Sequence, residues 1–153
     1  MNSKNKILVA ALIANSLFTG SLLVIWIALL PFWGSLEETA LMNWFSAHFH
    51  RLLLLLTPLN LLTITTILFG FLKHRKQTGT VRSLWMFALL GIFLCTITYP
   101  LFFYNANKLL AGSGRSQVNI LEVLDSWERW HIARTIMSGL SLLTLIRISF
   151  EKE

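Results

Sequence analysis

The sequence predicts an all-α fold: a four-transmembrane-helix bundle with short helical extracytoplasmic segments. Apolar types make up 55% of the 153 residues and charged types only 13%, about half the ~25% charge of a soluble domain. Mean hydropathy is +0.65. Residues 7–32, 52–72 and 83–103 contain no formal charge. Each run reaches the roughly 20 residues that carry a helix, at about 1.5 Å per residue, across a ~30 Å hydrocarbon core. A fourth apolar run precedes the C-terminus. The length suits one domain, residues 1–153.

Span one, 7–32, follows Lys4 and Lys6 and so imitates a signal peptide. Its 26 uncharged residues exceed the usual h-region of about 7–15, and no small-residue cleavage site follows, so a retained helix is expected. Pro31 suits its exit from the bilayer. Asn15, Ser16, Thr19 and Gly20 form two small-xxx-small pairs, a pattern for close helix packing. The following loop opens with Ser35-Leu36-Glu37-Glu38, which matches a capping box, and is aromatic and amphipathic to His50.

Span two, 52–72, carries Thr57 and Asn60 three apart. Its Thr63, Thr65 and Thr66 are expected to bond their own helix backbone. Span three, 83–103, holds the only cysteine, Cys95, read as a small hydrophobe. Pro58 and Pro100 lie near the outer ends of these spans, where local kinks are expected. Gly112-Ser113-Gly114 reads as flexible, and Asn119 to Arg129 has the spacing of an exposed helix leading into span four.

Span four is the informative one. Only 12 residues separate Arg134 from Arg147, about 18 Å of helix and too short to cross alone. Extension to 130–150 gives sufficient length and draws His131 and Arg134 onto the membrane helix. An arginine so placed tends to face the bundle interior or a wet cavity, with a partner.

Basic residues set the orientation. Lys4, Lys6, Lys73, Arg75, Lys76, Arg82, Arg147 and Lys152 fall on one side. Arg51, Lys108, Arg115 and Arg129 share the other with Glu37, Glu38, Glu122, Asp125 and Glu128. The positive-inside rule predicts a multi-pass protein of the cell membrane with both termini cytoplasmic. Trp33, Trp44, Trp127 and Trp130 are then expected as an outer aromatic belt, with Trp85 at the inner interface.

The basic residues sit in short clusters between apolar runs, which argues against nucleic acid as a partner. Membrane lipid and a small hydrophobic aromatic ligand are the expected partners; nothing in the sequence speaks to oligomeric state. No phosphate-binding glycine loop, dinucleotide fingerprint, CxxC or nucleophile elbow is present, so the common soluble enzyme classes are unsupported. No ring of charge lines any span as in a channel.

Polar residues converge at the outer end. His131 and Arg134 are the candidate catalytic pair: a neutral imidazole can take a proton, and a fixed guanidinium can hold the resulting anion. Spacings of three and four put Trp127, His131, Arg134 and Ser138 on one helical face. Trp127, Trp130, Asn105, Tyr99, Asn60 and His48 are the candidate substrate-binding residues. The competing reading pairs Arg134 with Glu37, Glu38 or a lipid phosphate as an anchor, in a non-enzymatic structural, lipid-binding or accessory membrane protein. A three-histidine metal site from His48, His50 and His131 is disfavoured, because on a helix His48 and His50 point about 200° apart; no metal is expected.

Thr98-Tyr99-Pro100, Asn105, Asn107, Trp127-Glu128-Arg129-Trp130-His131 and Arg134-Thr135 resemble the small four-helix membrane proteins related to fungal anthrone oxygenases. The similarity extends over nearly the whole chain, through Pro31-Phe32-Trp33 and His48-Phe49-His50-Arg51. Its most specific part is the pattern W-x-x-W-H-x-x-R-T. The resemblance implies oxidation of a polyphenolic compound by molecular oxygen without a bound cofactor. It further implies His131 as base, Arg134 as anion holder, and Asn105 and Trp130 as pocket lining.

Overall fold

The computed structural model describes residues 3–76, 79–112 and 119–151. Ser113 and Gly114 of the expected flexible stretch, together with Arg115 and Lys152, lie outside the described residues. The elements in order are α1 (Ser3–Val24), a π-helical turn (Ile25–Leu29), α2 (Leu30–Gly34), α3 (Glu38–His74), α4 (Thr80–Thr98), a second π turn (Tyr99–Phe103), α5 (Tyr104–Leu110) and α6 (Ile120–Ser149). They combine into four helices long and apolar enough to cross a membrane: Lys6–Gly34, Glu38–His74, Thr80–Leu110 and Ile120–Ser149.

Both π turns have a local cause. Proline has no N–H and its ring collides with the carbonyl four residues back, so a helix passing through proline must widen or bend. Pro31 stands two residues after the first π turn and Pro100 lies in the second. Around Pro100 the backbone bonds are reassigned. The Tyr99 N–H goes to the Thr96 carbonyl, and the Thr98 hydroxyl satisfies the Cys95 carbonyl at 2.7 Å. A side chain thus replaces the lost backbone donor, as apolar surroundings require. Past Pro31 the helix continues as α2 to Gly34. Pro58 lies within the unbroken 37-residue α3.

The expected capping box does not form. Ser35 closes α2, its hydroxyl donating to the Phe32 carbonyl at 2.7 Å. Helix α3 starts only at Glu38, from an extended Glu37 that makes no side-chain cap. The aromatic loop is accordingly the first turns of α3 itself. Asn119, by contrast, caps α6 by accepting from the N–H of Leu121 and Glu122 at 3.1 and 3.4 Å. Gly79 precedes α4 with φ +110°, a conformation that favours glycine.

Two contacts fix the bundle. Midway along it, Asn15 donates to Ser141 (3.1 Å) and accepts from Thr19 (3.1 Å) and Ser138 (3.3 Å). Ser141 in turn donates to the Ala88 carbonyl at 2.8 Å, so α1, α4 and α6 share one buried polar network. Ser16 is exposed and a Cβ on Gly20 would meet nothing within 4 Å. The expected small-residue packing therefore falls to Asn15 and Thr19, which hydrogen-bond, while the Ser16–Gly20 pair makes no close helix contact among the described residues. At the basic end the Trp85 ring lies directly over Gly70 and stacks on His74, 5.7 Å between ring centres.

The tryptophan belt is largely corrected. Trp33, Trp127 and Trp85 are core residues, 0%, 0% and 1% exposed. Trp33 packs against Trp44, Phe45 and Trp127 at 5.0, 4.8 and 5.3 Å, closing the end of the bundle opposite Trp85. Thr63 and Thr66 bond their own helix carbonyls as expected, to Leu59 and Leu62.

Candidate functional site

Helix α6 brings Trp127, His131, Arg134 and Ser138 to its buried face. The His131 imidazole stacks on Trp127, 4.9 Å apart and 9° from parallel. Arg134 lies over the Phe103 ring at 3.9 Å and near Trp127 at 5.5 Å. Its Nε and Nη2 approach His131 Nδ1 at 3.1 and 2.8 Å. A guanidinium only donates, so Nδ1 is the acceptor. The ring proton therefore sits on Nε2, which donates to the Leu22 carbonyl at 2.9 Å. His131 is thus a neutral strut between α1 and Arg134 with both nitrogens occupied. That geometry gives it no free lone pair to act as a base.

Arg134 has no carboxylate partner among the described residues. The anchor reading through Glu37 or Glu38 is overturned, since both are exposed and neither pairs with it. Of the five N–H bonds of a guanidinium, two point at His131 and three remain. Arg134 forms part of the wall of a cavity of about 260 Å³. An apolar cavity of roughly 150 Å³ holds one benzene ring, so this one has room for a fused bicyclic body. Phe18, Leu22, Leu56 and Phe103 supply its apolar lining, with Tyr99, Cys95 and the Asn60–Thr96 pair on the α3 and α4 sides. Asn60 and Thr96 bond each other at 3.1 and 3.2 Å. Exposed Thr57, Leu61 and Pro100 form the rim, placing the mouth on the outer surface between α3 and the α4 end.

The candidate residues divide. Arg134, Tyr99 and Asn60 meet at the cavity. Trp127 and His131 support Arg134 from behind without lining it. Asn105 is exposed; Asn107, two residues on, lines the cavity instead and accepts from Trp127 Nε1 at 2.8 Å. Trp130 is 41% exposed and stacks on Phe102. His48 is exposed beside Trp44, 5.7 Å between ring centres. Asn105, Trp130 and His48 are therefore not brought to the cavity. Phe49, next to His48, is in the lining. Among the described residues no three His, Cys, Asp or Glu side chains group as metal ligands; His48 and His50 are exposed while His131 is fully buried.

No protein family model matches the chain, and neither a curated protein nor a solved structure matches it.

Proposed function

We propose that this is a multi-pass membrane protein, both termini cytoplasmic, that binds a lipid-soluble ring compound bearing an anionic or strongly accepting oxygen. The observation that carries this reading is Arg134: a buried guanidinium on the wall of an apolar cavity, with no carboxylate partner among the described residues and three N–H bonds unspent. Leaving such a charge unpaired in apolar surroundings is costly, and intramembrane arginines mark ligand or ion sites by default. Phe103 beneath it supplies cation–π stabilisation, which offsets part of the cost when the cavity is empty. Lipid covers the exposed apolar faces and delivers the ligand through the mouth beside Thr57, Leu61 and Pro100.

Cofactor-free oxygenation of the held anion is the second reading, in line with the anthrone-oxygenase resemblance and favoured by the same guanidinium. In that reaction an activated ring methylene becomes a carbonyl; one atom of O2 enters the product and the other leaves as water. His131 would orient Arg134, and the substrate would bind already ionised.

The test is a thermal-stability screen of the purified protein with naphthalene, 2-naphthol and 2-naphthoic acid. A ligand at about 100-fold its dissociation constant stabilises by roughly 2.7 kcal/mol. Oxygenated probes should stabilise the wild type, naphthalene should do so weakly, and Arg134→Met should abolish the difference. Equal response to all three in both proteins would overturn the proposal. Oxygen uptake with a bound, oxidisable probe decides whether the second reading applies.

A further inference from the structure

We infer that the ligand carries a long hydrocarbon tail on the end of its ring opposite the acceptor oxygen, and that this tail leaves the cavity between α3 and α4 to lie in lipid. This rests on the binding function proposed above and narrows the ligand to tailed aromatic compounds resident in a bilayer.

The helices pack in a ring: α1 meets α3, α3 meets α4, α4 meets α6 and α6 meets α1. The α3–α4 seam therefore faces the α1–α6 seam across the interior. Arg134 stands on α6, with Phe18 and Leu22 on α1, and all three are buried in the cavity wall. The mouth lies on the opposite side, where Thr57, Leu61 and Pro100 are exposed. A ring whose oxygen meets the guanidinium consequently points its other end at the mouth.

Beyond that mouth lies hydrocarbon. Thr57 and Leu61 fall five and nine residues past Leu52, where the charge-free stretch begins after Arg51. Those offsets place them about 8 and 14 Å along the helix from its charged border. Leu54, one turn before Thr57, and Leu101, next to Pro100, are 74% and 68% exposed. A substituent that passes the rim thus meets lipid chains rather than water. The chamber, at about 260 Å³, accommodates the ring, and a tail outside it needs no enclosed volume. Each methylene of that tail also favours the bilayer over water and so concentrates the ligand at the mouth. The oxygen-bearing end has no such exit, because Arg134 lies there over Phe103 and beside Trp127.

The test uses the whole protein in phosphatidylcholine nanodiscs with three carboxylates: 2-naphthoic acid, its 6-decyl derivative and the 3-decyl isomer. The chain lies opposite the carboxylate in the 6-decyl acid and beside it in the 3-decyl acid. The isomers partition alike into lipid, so the difference between them reports the site. The wild type should bind the 6-decyl acid at least about tenfold more tightly than the 3-decyl acid. Arg134→Met should weaken the 6-decyl acid and 2-naphthoic acid together. A diazirine at the end of the 6-decyl chain should label Leu54, Leu61 or Leu101, and excess 2-naphthoic acid should suppress those adducts. Equal binding of the two isomers, adducts on Phe18 or Leu22, or adducts that 2-naphthoic acid does not displace overturn the tail exit. In each of those cases, 2-naphthoic acid binding that still depends on Arg134 leaves the proposed function standing. If Arg134→Met binds 2-naphthoic acid like the wild type, the proposed function falls and the tail with it.

Discussion

Arg134 could be singled out from the sequence because charge is scarce there: an apolar run of 12 residues forced it onto the fourth helix. What holds it could not. The Leu22 carbonyl that anchors His131 is main chain on another helix, and side-chain identity does not reveal it. With both nitrogens occupied, His131 acts on Arg134 as a positioning residue. His131→Phe should therefore leave a carbonyl and a guanidinium short of partners, at roughly 1–3 kcal/mol each. It should lower the unfolding midpoint and weaken anionic ligands, while His131→Gln, which can reach one partner, recovers part of both. Asn105 rests on the resemblance, whereas helical position favours Asn107, which follows Tyr99 and Phe103 at intervals of four and shares their face toward the cavity.

At the scale of elements, the second π turn places Tyr99 and Phe103 against the cavity. Pro100→Ala returns the N–H that a regular α-helix needs at position 100 and lets that helix compete with the widened one. The prediction is anionic-probe binding weakened by roughly tenfold, about 1.4 kcal/mol, with thermal stability unchanged or raised; titration and unfolding of the same variant measure the two. Packing between α3 and α4 makes a separate prediction. A Cβ at Gly70 would run into the Trp85 ring, so Gly70→Ala should destabilise by about 1–3 kcal/mol, the usual cost of overpacking. Asn15→Leu removes the hub of the α1–α4–α6 network. Because membrane hydrogen bonds average about 0.6 kcal/mol and reach about 1.7, its loss should be modest in stability but visible in denaturant titration. The four long helices were legible because apolar length needs no tertiary information. The boundary at Ser35 was not, since the same hydroxyl that suits an N-cap also closes the turn before it.

For the molecule as a whole, hydropathy foretold four helices but not which tryptophans they bury. Trp33 and Trp127 belong to a packed aromatic end that only the meeting of α2, α3 and α6 creates. The distribution of lysine and arginine predicts an orientation: cysteines placed at residues 4 and 150 should react with a membrane-impermeant maleimide only from the cytoplasmic side, and one at residue 37 only from the other. Labelling of residues 4 and 37 from the same side would refute it. Arg134 holds the anionic head of the ligand in this protein's proposed function. The most direct measurement is an anomalous difference map of the protein bound to 6-bromo-2-naphthoic acid. Bromine is expected between Leu56 and Phe103 with the carboxylate on the Arg134 guanidinium. Bromine confined to the outer lipid-facing surface, with Arg134 unliganded, would contradict it.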